Sequence, residues 1–509
     1  MKKSLIKNTL YLLFKLSVTL AANLYISRAL LNILGINDFG IFNVVNGAVL
    51  TLTMLSSSLS VAISRFFNFE IGRHNSQRLN TIYSSSIIFH SSLCIIIFIL
   101  GVIIAKPVIY DFLNISTERQ AIALSVYYFS LLSFCMMLIS ITFSALIIAH
   151  EDMRAFSVIG LIESFLKVIA TISLGKLSYD KLYLYSLLMM CITILMMTIY
   201  YSFIRMKYGN IKFKFSFDNK LLMEVYSFAG WNLFGSGSVI AKEQGVNILV
   251  NIFFDVRLNA ARAISYQVNN AINSIVGQLS LAVSPRVTKL VANKDFDESL
   301  SLTFRTSRFS YLFLLILVVP VFNNLEFILK SWLNVVPDYT IIFVELILLN
   351  LLIDSLSGPL ISLLLAIGNI RNYQLSVGFI NFLNLPISYL VLKIGYGASA
   401  TIFVSIVLSL VSLNLRILFL SRRARFHFFE FYEKTIVQVM LTTVFVIMTV
   451  FIFNMFFKTT VVLSDFIVNF GSILAVSLFF VFFLGLSMDE KSYLTKKIKL
   501  SFIKSKVYL

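Results

Sequence analysis

Five cations stand inside stretches of sequence that are otherwise apolar: Lys15, Arg28, Lys167, Lys242 and Arg416. A sixth, Arg262, opens another such stretch. A charge in apolar surroundings is costly unless it meets an opposite charge or a watery space. The chemistry such cations offer is the holding of an anion, phosphate above all. Lys15 and Arg28 are separated by ~20 Å along a helix and by ~140° around it. They do not grip one phosphate together, but they can mark two depths of one path. Arg28 can equally reach outward to headgroups, and Lys15 inward.

Amides, hydroxyls and a few acids accompany these cations. The segment Trp231-Asn232-Leu233-Phe234-Gly235-Ser236-Gly237-Ser238-Val239-Ile240-Ala241-Lys242-Glu243-Gln244-Gly245 sets a charged pair among glycines, which leads us to expect a bend or break there. Gln267, Asn270, Ser274 and Gln278 follow one another at helical steps, a stripe that can both donate to and accept from sugar hydroxyls. Asn43, Asn46, Thr51, Thr53 and Ser56-Ser57-Ser58 supply similar groups earlier in the chain. Interhelical hydrogen bonding accounts for any one of them equally well. Glu163 and Lys167 have the i, i+4 spacing of a self-neutralising pair. Glu243, Glu224, Asp354 and His90 remain as candidates for coupling to an ion gradient. No phosphate-binding G-x-x-x-x-G-K-[ST] loop, no nucleophile elbow and no His/Cys group with metal spacing occurs in the sequence. We therefore expect no cofactor and no metal.

The elements that must position these residues are membrane spans. The chain is 58% hydrophobic and 13% charged, and its mean hydropathy is +0.89. An α-helix needs ~20 apolar residues to cross ~30 Å of hydrocarbon. We read about fourteen such spans, at 9–32, 40–64, 81–105, 121–149, 156–176, 181–204, 221–253, 260–284, 307–329, 340–367, 372–392, 396–420, 435–457 and 466–486. Lys and Arg collect on every second connection, 28 on one side and 9 on the other. That asymmetry predicts both termini in the cytoplasm. It also accounts for most of the +18 charge without nucleic acid. The basic loops are expected to touch anionic membrane lipids. All connections are short, too short for the outer loop on which a membrane polymerase would build its site. Cys94, Cys135 and Cys191 fall inside spans and read as small hydrophobes. The passages around the second and eighth spans resemble each other, with Ser64-Arg65 aligned on Pro285-Arg286 at an offset of 221. Six spans per half make the two copies parallel. The expected division is an N-lobe at 1–205, a C-lobe at 206–425, and two extra spans with a basic tail at 426–509.

The string Leu34-Gly35-Ile36-Asn37-Asp38-Phe39-Gly40-Ile41-Phe42, preceded by Ser27-Arg28-Ala29-Leu30, resembles the first helix hairpin of Wzx-type O-antigen and polysaccharide flippases. These belong to the multidrug/oligosaccharidyl-lipid/polysaccharide (MOP) exporter superfamily. The resemblance implies an all-α polytopic membrane protein with two six-helix lobes around a central cavity. The two C-terminal helices depart from the commoner twelve and resemble those of lipid II flippases, where such a pair holds the lipid tail. The implied activity is translocation, not enzymatic catalysis. An undecaprenyl-diphosphate-linked oligosaccharide, such as an O-antigen unit for lipopolysaccharide, would cross the bacterial inner membrane by alternating access, alongside other polysaccharide-assembly proteins. On this reading Lys15, Arg28, Lys242, Arg262, Gln267, Asn270 and Ser274 bind the substrate. The alternative within the superfamily is a cation-coupled drug exporter, which would be expected to carry carboxylates in its cavity.

Overall fold

The structure is a computed structural model. It describes residues 2–492 except 51, 113–114, 176–178, 210, 214–217, 255, 333–335, 425, 457–462 and 489. The basic tail from 493 and Thr51 lie outside the described residues, as do the side chains of Asn43 and Thr53. The helices in chain order are α1 (Lys2–Leu50), α2 (Thr53–Gly72), α3 (Ser76–Lys106), α4 (Thr117–Ala149), α5 (Met153–Leu174), α6 (Lys181–Lys207), α7 (Asn219–Phe253) and α8 (Val256–Ala292). They continue as α9 (Phe296–Asn323), α10 (Leu325–Trp332), α11 (Thr340–Ile367), α12 (Arg371–Lys393), α13 (Ala400–Ala424), α14 (Phe428–Phe431), α15 (Val437–Phe456) and α16 (Leu463–Phe480). No strand occurs among the described residues. Eleven helical segments there are long and apolar enough to cross a membrane. The helices α2, α7 and α8 fall outside the eleven because they carry many of the polar residues singled out above. At 20, 35 and 37 residues they are long enough to span. Together these make fourteen, and the chain is a polytopic all-α membrane protein.

The boundary between the first two spans differs from the sequence expectation. The helix α1 runs through the 33–39 connection and is broken only at Gly35, with φ 74° and ψ 172°. An L side chain is strained in that conformation. A Cβ there would meet nothing within 4 Å, so backbone conformation alone demands the glycine. Three residues on, Asp38 accepts a hydrogen bond from Arg119 Nη2 at 2.5 Å, and Arg119 Nη1 also pairs with Asp180. One guanidinium thus ties the corner after Gly35 to the starts of α4 and α6. Burial pushes the Asp38 carboxyl above its usual range. At Asp180 burial acts the same way, but the Tyr183 N–H, Arg119 and the Leu182 N–H outweigh it and hold this carboxyl below its usual range. Leu34, Phe39 and Phe42 of the same string pack on a cluster of Ile26, Leu30, Leu174 and Tyr185. The string is a corner-forming motif.

The chain divides into two compact units. The first comprises Met1–Gly237, Leu281–Phe296 and Leu365–Leu375. Its central post is α4, packed against α1, α2, α3, α5 and α6. Leu131, Leu138, Ala145 and Leu146 of α4 are fully buried. The Cys94 and Cys135 thiols donate to each other's carbonyls at 3.1 and 3.6 Å, joining α3 to α4. The far face of α3 exposes Ile95, Ile96, Ile99, Leu100, Ile103 and Ile104, as a lipid-facing surface should. Small residues let α5 approach α1: Ser164 meets Thr19 at 3.0 Å, and Gly160 lies against Lys15. Glu163 and Lys167 form the expected pair at 2.6 Å.

The second unit comprises Ser238–Ser280, Asp297–Leu364 and Ser376–Leu509. Val246, Val250, Ala261, Phe343, Ile347 and Ile402 build a core that joins α7, α8, α11 and α13. The C-terminal pair is fastened along α9. At one end Arg308 donates to Gln438 Oε1 and to both carboxylate oxygens of Glu490, each at 2.7 Å. One turn further along α9 Tyr311 meets Thr443 at 3.1 Å. At the other end Asn323 and Asn324 both donate to Asn469 Oδ1 at 3.0 Å.

The two aligned passages end on the same kind of backbone turn, which also follows α4 at Glu151. After α2, the His74 N–H bonds Ile71 O and the Asn75 N–H bonds Glu70 O; after α8, Lys294 and Asp295 bond Val291 and Leu290 in the same way. His74 and Lys294 both take positive φ, 56° and 65°. Each is a Schellman-type helix end. These turns register at an offset of 220, one residue less than the sequence alignment gives, because they match by hydrogen-bond geometry and not by side-chain type.

Arg308 and Glu490 are 10% and 7% exposed, so removing Glu490 leaves Arg308 a buried charge beside the neutral Gln438, whereas removing Arg308 leaves Glu490 with Arg305 at 3.3 Å. Glu490→Gln alone is expected to cost about 3–5 kcal/mol, Arg308→Gln less because Arg305 still faces the carboxylate, and a combined Arg308→Met, Glu490→Leu change much less than Glu490→Gln. Thermal unfolding in detergent reads this out, and equal losses from single and paired changes would refute it. For the half-exposed Glu163–Lys167 pair, Glu163→Gln and Lys167→Met together are expected to impair less than either alone. Strict additivity in a double-mutant cycle would show no coupling.

Candidate functional site

In the second unit the polar residues converge on one pocket of about 370 Å³, lined by Glu243, Gln244, Asn247, Ala263, Tyr266 and Asn270. Glu243, Gln244 and Asn247 share one face of α7, at i, i+1 and i+4. Ala263, Tyr266 and Asn270 lie at i, i+3 and i+7 of α8, which presents one stripe. Arg262 sits behind this lining, 3% exposed. Its Nε donates to Asn247 Oδ1 at 2.5 Å, Nη2 to the Tyr266 hydroxyl at 3.2 Å, and Nη1 to Thr401 Oγ1 at 3.4 Å. The guanidinium therefore fixes two of the pocket's polar groups and anchors them to α13. Glu243 is half-buried and within electrostatic reach of Lys242, Arg262 and Asp354. Such a pocket offers amide and phenol hydrogen bonds beside one carboxylate held among cations.

The expected break in α7 is absent. The helix runs unbroken from Asn219 to Phe253. Two of its glycines serve close packing instead: the space a side chain would need is taken by Gln374 at Gly235 and by Leu385 at Gly245. Lys242 is half-buried. Along the α8 stripe, Gln267 and Asn270 are exposed, while Ser274 is half-buried and bonds Ala271 O at 2.7 Å. Asp354 accepts from Asn350 Nδ2 at 2.9 Å.

In the first unit Lys15 is half-buried, with its ammonium 3.9 Å from the centre of the Phe156 ring. Glu163 lies within electrostatic reach. A cation on an aromatic face is stabilised without losing its charge. Arg28 is exposed on α1. Glu224 is exposed and faces Arg78 at 3.8 Å. His90 is fully buried; its Nδ1 shares a hydrogen bond with Thr142 at 3.0 Å, and its Nε2 has no partner among the described residues. No group of three or more His, Cys, Asp or Glu able to hold a metal occurs among the described residues.

The structure brings together Arg262, Glu243 and Asn270 of the sequence candidates, with Lys242 beside them in sequence. Asn247, Tyr266 and Thr401 were missed. Asn247 stands four residues after Glu243, and Tyr266 four after Arg262, so helical spacing alone could have found both. Thr401 could not have been found that way, because its partner is 139 residues away.

A family model described as "Polysaccharide biosynthesis protein" matches residues 5–291. No individual curated sequence matches. Among solved structures, the fold is similar to MATE in complex with MaL6, at a TM-score of 0.73 and 11% identity, over 83% of this chain and 96% of that one. It is similar to the outward-facing conformation of a multidrug resistance MATE family transporter of the MOP superfamily, at 0.72 and 11%, over the same shares. A MOP superfamily transporter from Pyrococcus furiosus, whose reverse binding-pocket polarity is said to suggest a different function, matches at 0.69 and 12%, again over 83% and 96%. At these identities the likeness is one of fold. The family match covers more than half of the sequence, and the chain is a multi-pass member of the polysaccharide biosynthesis protein family built on the MATE-type transporter fold.

Proposed function

We propose that this protein is a flippase that carries a polyprenyl-diphosphate-linked oligosaccharide from the cytoplasmic to the outer leaflet of the bacterial inner membrane. The observation that carries the reading is the union of a polysaccharide-biosynthesis sequence family with a transporter fold. The placement of charge supports it. The half-buried Lys15 and Lys242 would offset the desolvation of a diphosphate, and the Asn247–Tyr266–Asn270 pocket suits sugar hydroxyls. The prenyl tail remains in lipid throughout. On this reading residues 1–205 and 206–425 act as the two lobes of an alternating-access cycle, and both termini are cytoplasmic. Residues 426–509 add the two further helices and the tail. Glu243, with Asp354 nearby, is the better-placed coupling group; His90 is the other.

The second reading is a cation-coupled drug exporter, favoured by the multidrug transporter among the structural neighbours and by the carboxylate of Glu243 in the pocket. Against it, Glu163 of the first unit is already neutralised by Lys167.

Reconstitution into liposomes with a fluorescent polyprenyl-diphosphate oligosaccharide separates the two. The flippase reading expects labelled headgroups to become accessible on the opposite leaflet. Lys242→Ala should lower the rate at least tenfold, with Lys242→Arg retaining part of it. Movement of a cationic dye but not of the lipid would support the exporter instead. Arg262→Gln should reduce transport severely even with the fold intact, because Asn247 and Tyr266 lose their anchor. Wild-type transport by that variant would remove the pocket from the mechanism.

A further inference from the structure

The first unit is not contiguous in sequence. It captures two short pieces from later in the chain, residues 281–296 and 365–375. Three contacts grip the first piece. A Cβ on Gly72, at the end of α2, would lie 3.0 Å from Lys289 Cα and 3.1 Å from Lys289 O. These are backbone atoms that cannot swing aside, so α2 and the end of α8 meet at the closest approach a glycine permits. Lys289 Nζ pairs with Glu151 Oε1 at 2.9 Å, and the Glu151 carbonyl accepts from Asn8 Nδ2 at 3.1 Å. Ala282 is sealed in a cluster with Leu12, Ile148 and Met153.

The second piece is held by Arg65, whose Nε donates to Leu365 O at 2.6 Å and whose Nη2 donates to Ala366 O at 3.3 Å. Gly368, at φ +84°, leaves room for that guanidinium. Gln374 Nε2 adds a bond to Asn232 Oδ1 at 3.3 Å. Gly72, Glu151, Lys289, Arg65 and Gly368 all lie in or beside connections on the side where Lys and Arg are in excess, the end that charge assigns to the cytoplasm.

We propose that these contacts form a latch that closes the cytoplasmic end, with Lys289–Glu151 as its releasable element. The other grips are close backbone packing, the Arg65 bonds to two carbonyls, the neutral Gln374–Asn232 bond and apolar contact. The ion pair is the grip made between two opposite charges, and its side chains are 22% and 26% exposed. Glu151 is held for this purpose at a Schellman-type helix end in the left-handed region, φ 60°. The proposal rests on the transporter reading only in that this end must open at some stage.

The test needs no substrate, so it stands apart from the flippase assay. Full-length protein lacking Cys94, Cys135 and Cys191 would carry Ala282→Cys as reporter, since Ala282 is 1% exposed behind the latch. A second version would carry Ala123→Cys, 0% exposed on the opposite end of α4 from Glu151. Inside-out membrane vesicles are treated with a charged maleimide. Glu151→Lys is expected to raise labelling at 282 at least fivefold, and adding Lys289→Glu should return it to within twofold of the parent. Gly72→Val should raise it as well. Labelling at 123 should not change. Unchanged labelling at 282, failure of the charge swap to restore it, or an equal rise at both reporters would each overturn the latch.

Discussion

Everything in this protein depends on one constraint: inside hydrocarbon there is no water to satisfy a polar group, so the protein must do it. The polar residues that interrupt the apolar spans show how that demand is met. Asn381 donates to Ser238 and Asn384 to Ser405, which fastens α12 to α7 and α13. The Arg262 guanidinium is used up on Asn247, Tyr266 and Thr401. Even the thiols of Cys94 and Cys135 are spent on carbonyls. Apolar packing between helices gains little in lipid, since tails are as apolar as Leu. These bonds and small-residue contacts therefore carry much of the specificity of the fold.

The same constraint gives the two ends of the molecule different structural chemistry. At the end away from the basic connections one guanidinium, Arg119, is shared by Asp38 and Asp180. At the basic end, tight helix ends with residues such as His74, Glu151 and Lys294 in the left-handed region turn the chain quickly. Short turns keep few backbone groups outside helices. They also bring charged side chains into register with one another, as with Glu151 and Lys289.

Much of the fold was legible in sequence. Spans, their number and the repeat follow from hydropathy, from length and from turns that recur. The i, i+4 pair Glu163–Lys167 was readable because its geometry is local. The site was legible only in part. Residue type and helical spacing picked out Glu243, Arg262 and Asn270. They did not reveal that Arg262 faces inward to Asn247 and Thr401, because which side of a polar helix faces which neighbour is decided by tertiary packing. The glycines of α7 misled for a related reason. A glycine signals either conformational freedom or close approach, and only the neighbours, Gln374 and Leu385, tell which. Gly35 is the opposite case, a glycine needed for its φ and touched by nothing.

The bond between Arg308 and Glu490 has a consequence for how the protein is made. Its partners are 182 residues apart. At synthesis rates of about 5–20 residues per second, Arg308 waits roughly 10–40 s before Glu490 exists. During that interval α9 is already a membrane span while its future partners α15 and α16 are not yet synthesised. Arg308 lies near the middle of α9, twelve residues after its first residue Phe296, and until the carboxylate arrives its long side chain can only reach toward polar surroundings along the helix. The segment that follows the last span thus supplies the carboxylate that neutralises this arginine. A chain that stops before residue 490 leaves Arg308 within α9 without the carboxylate that neutralises it.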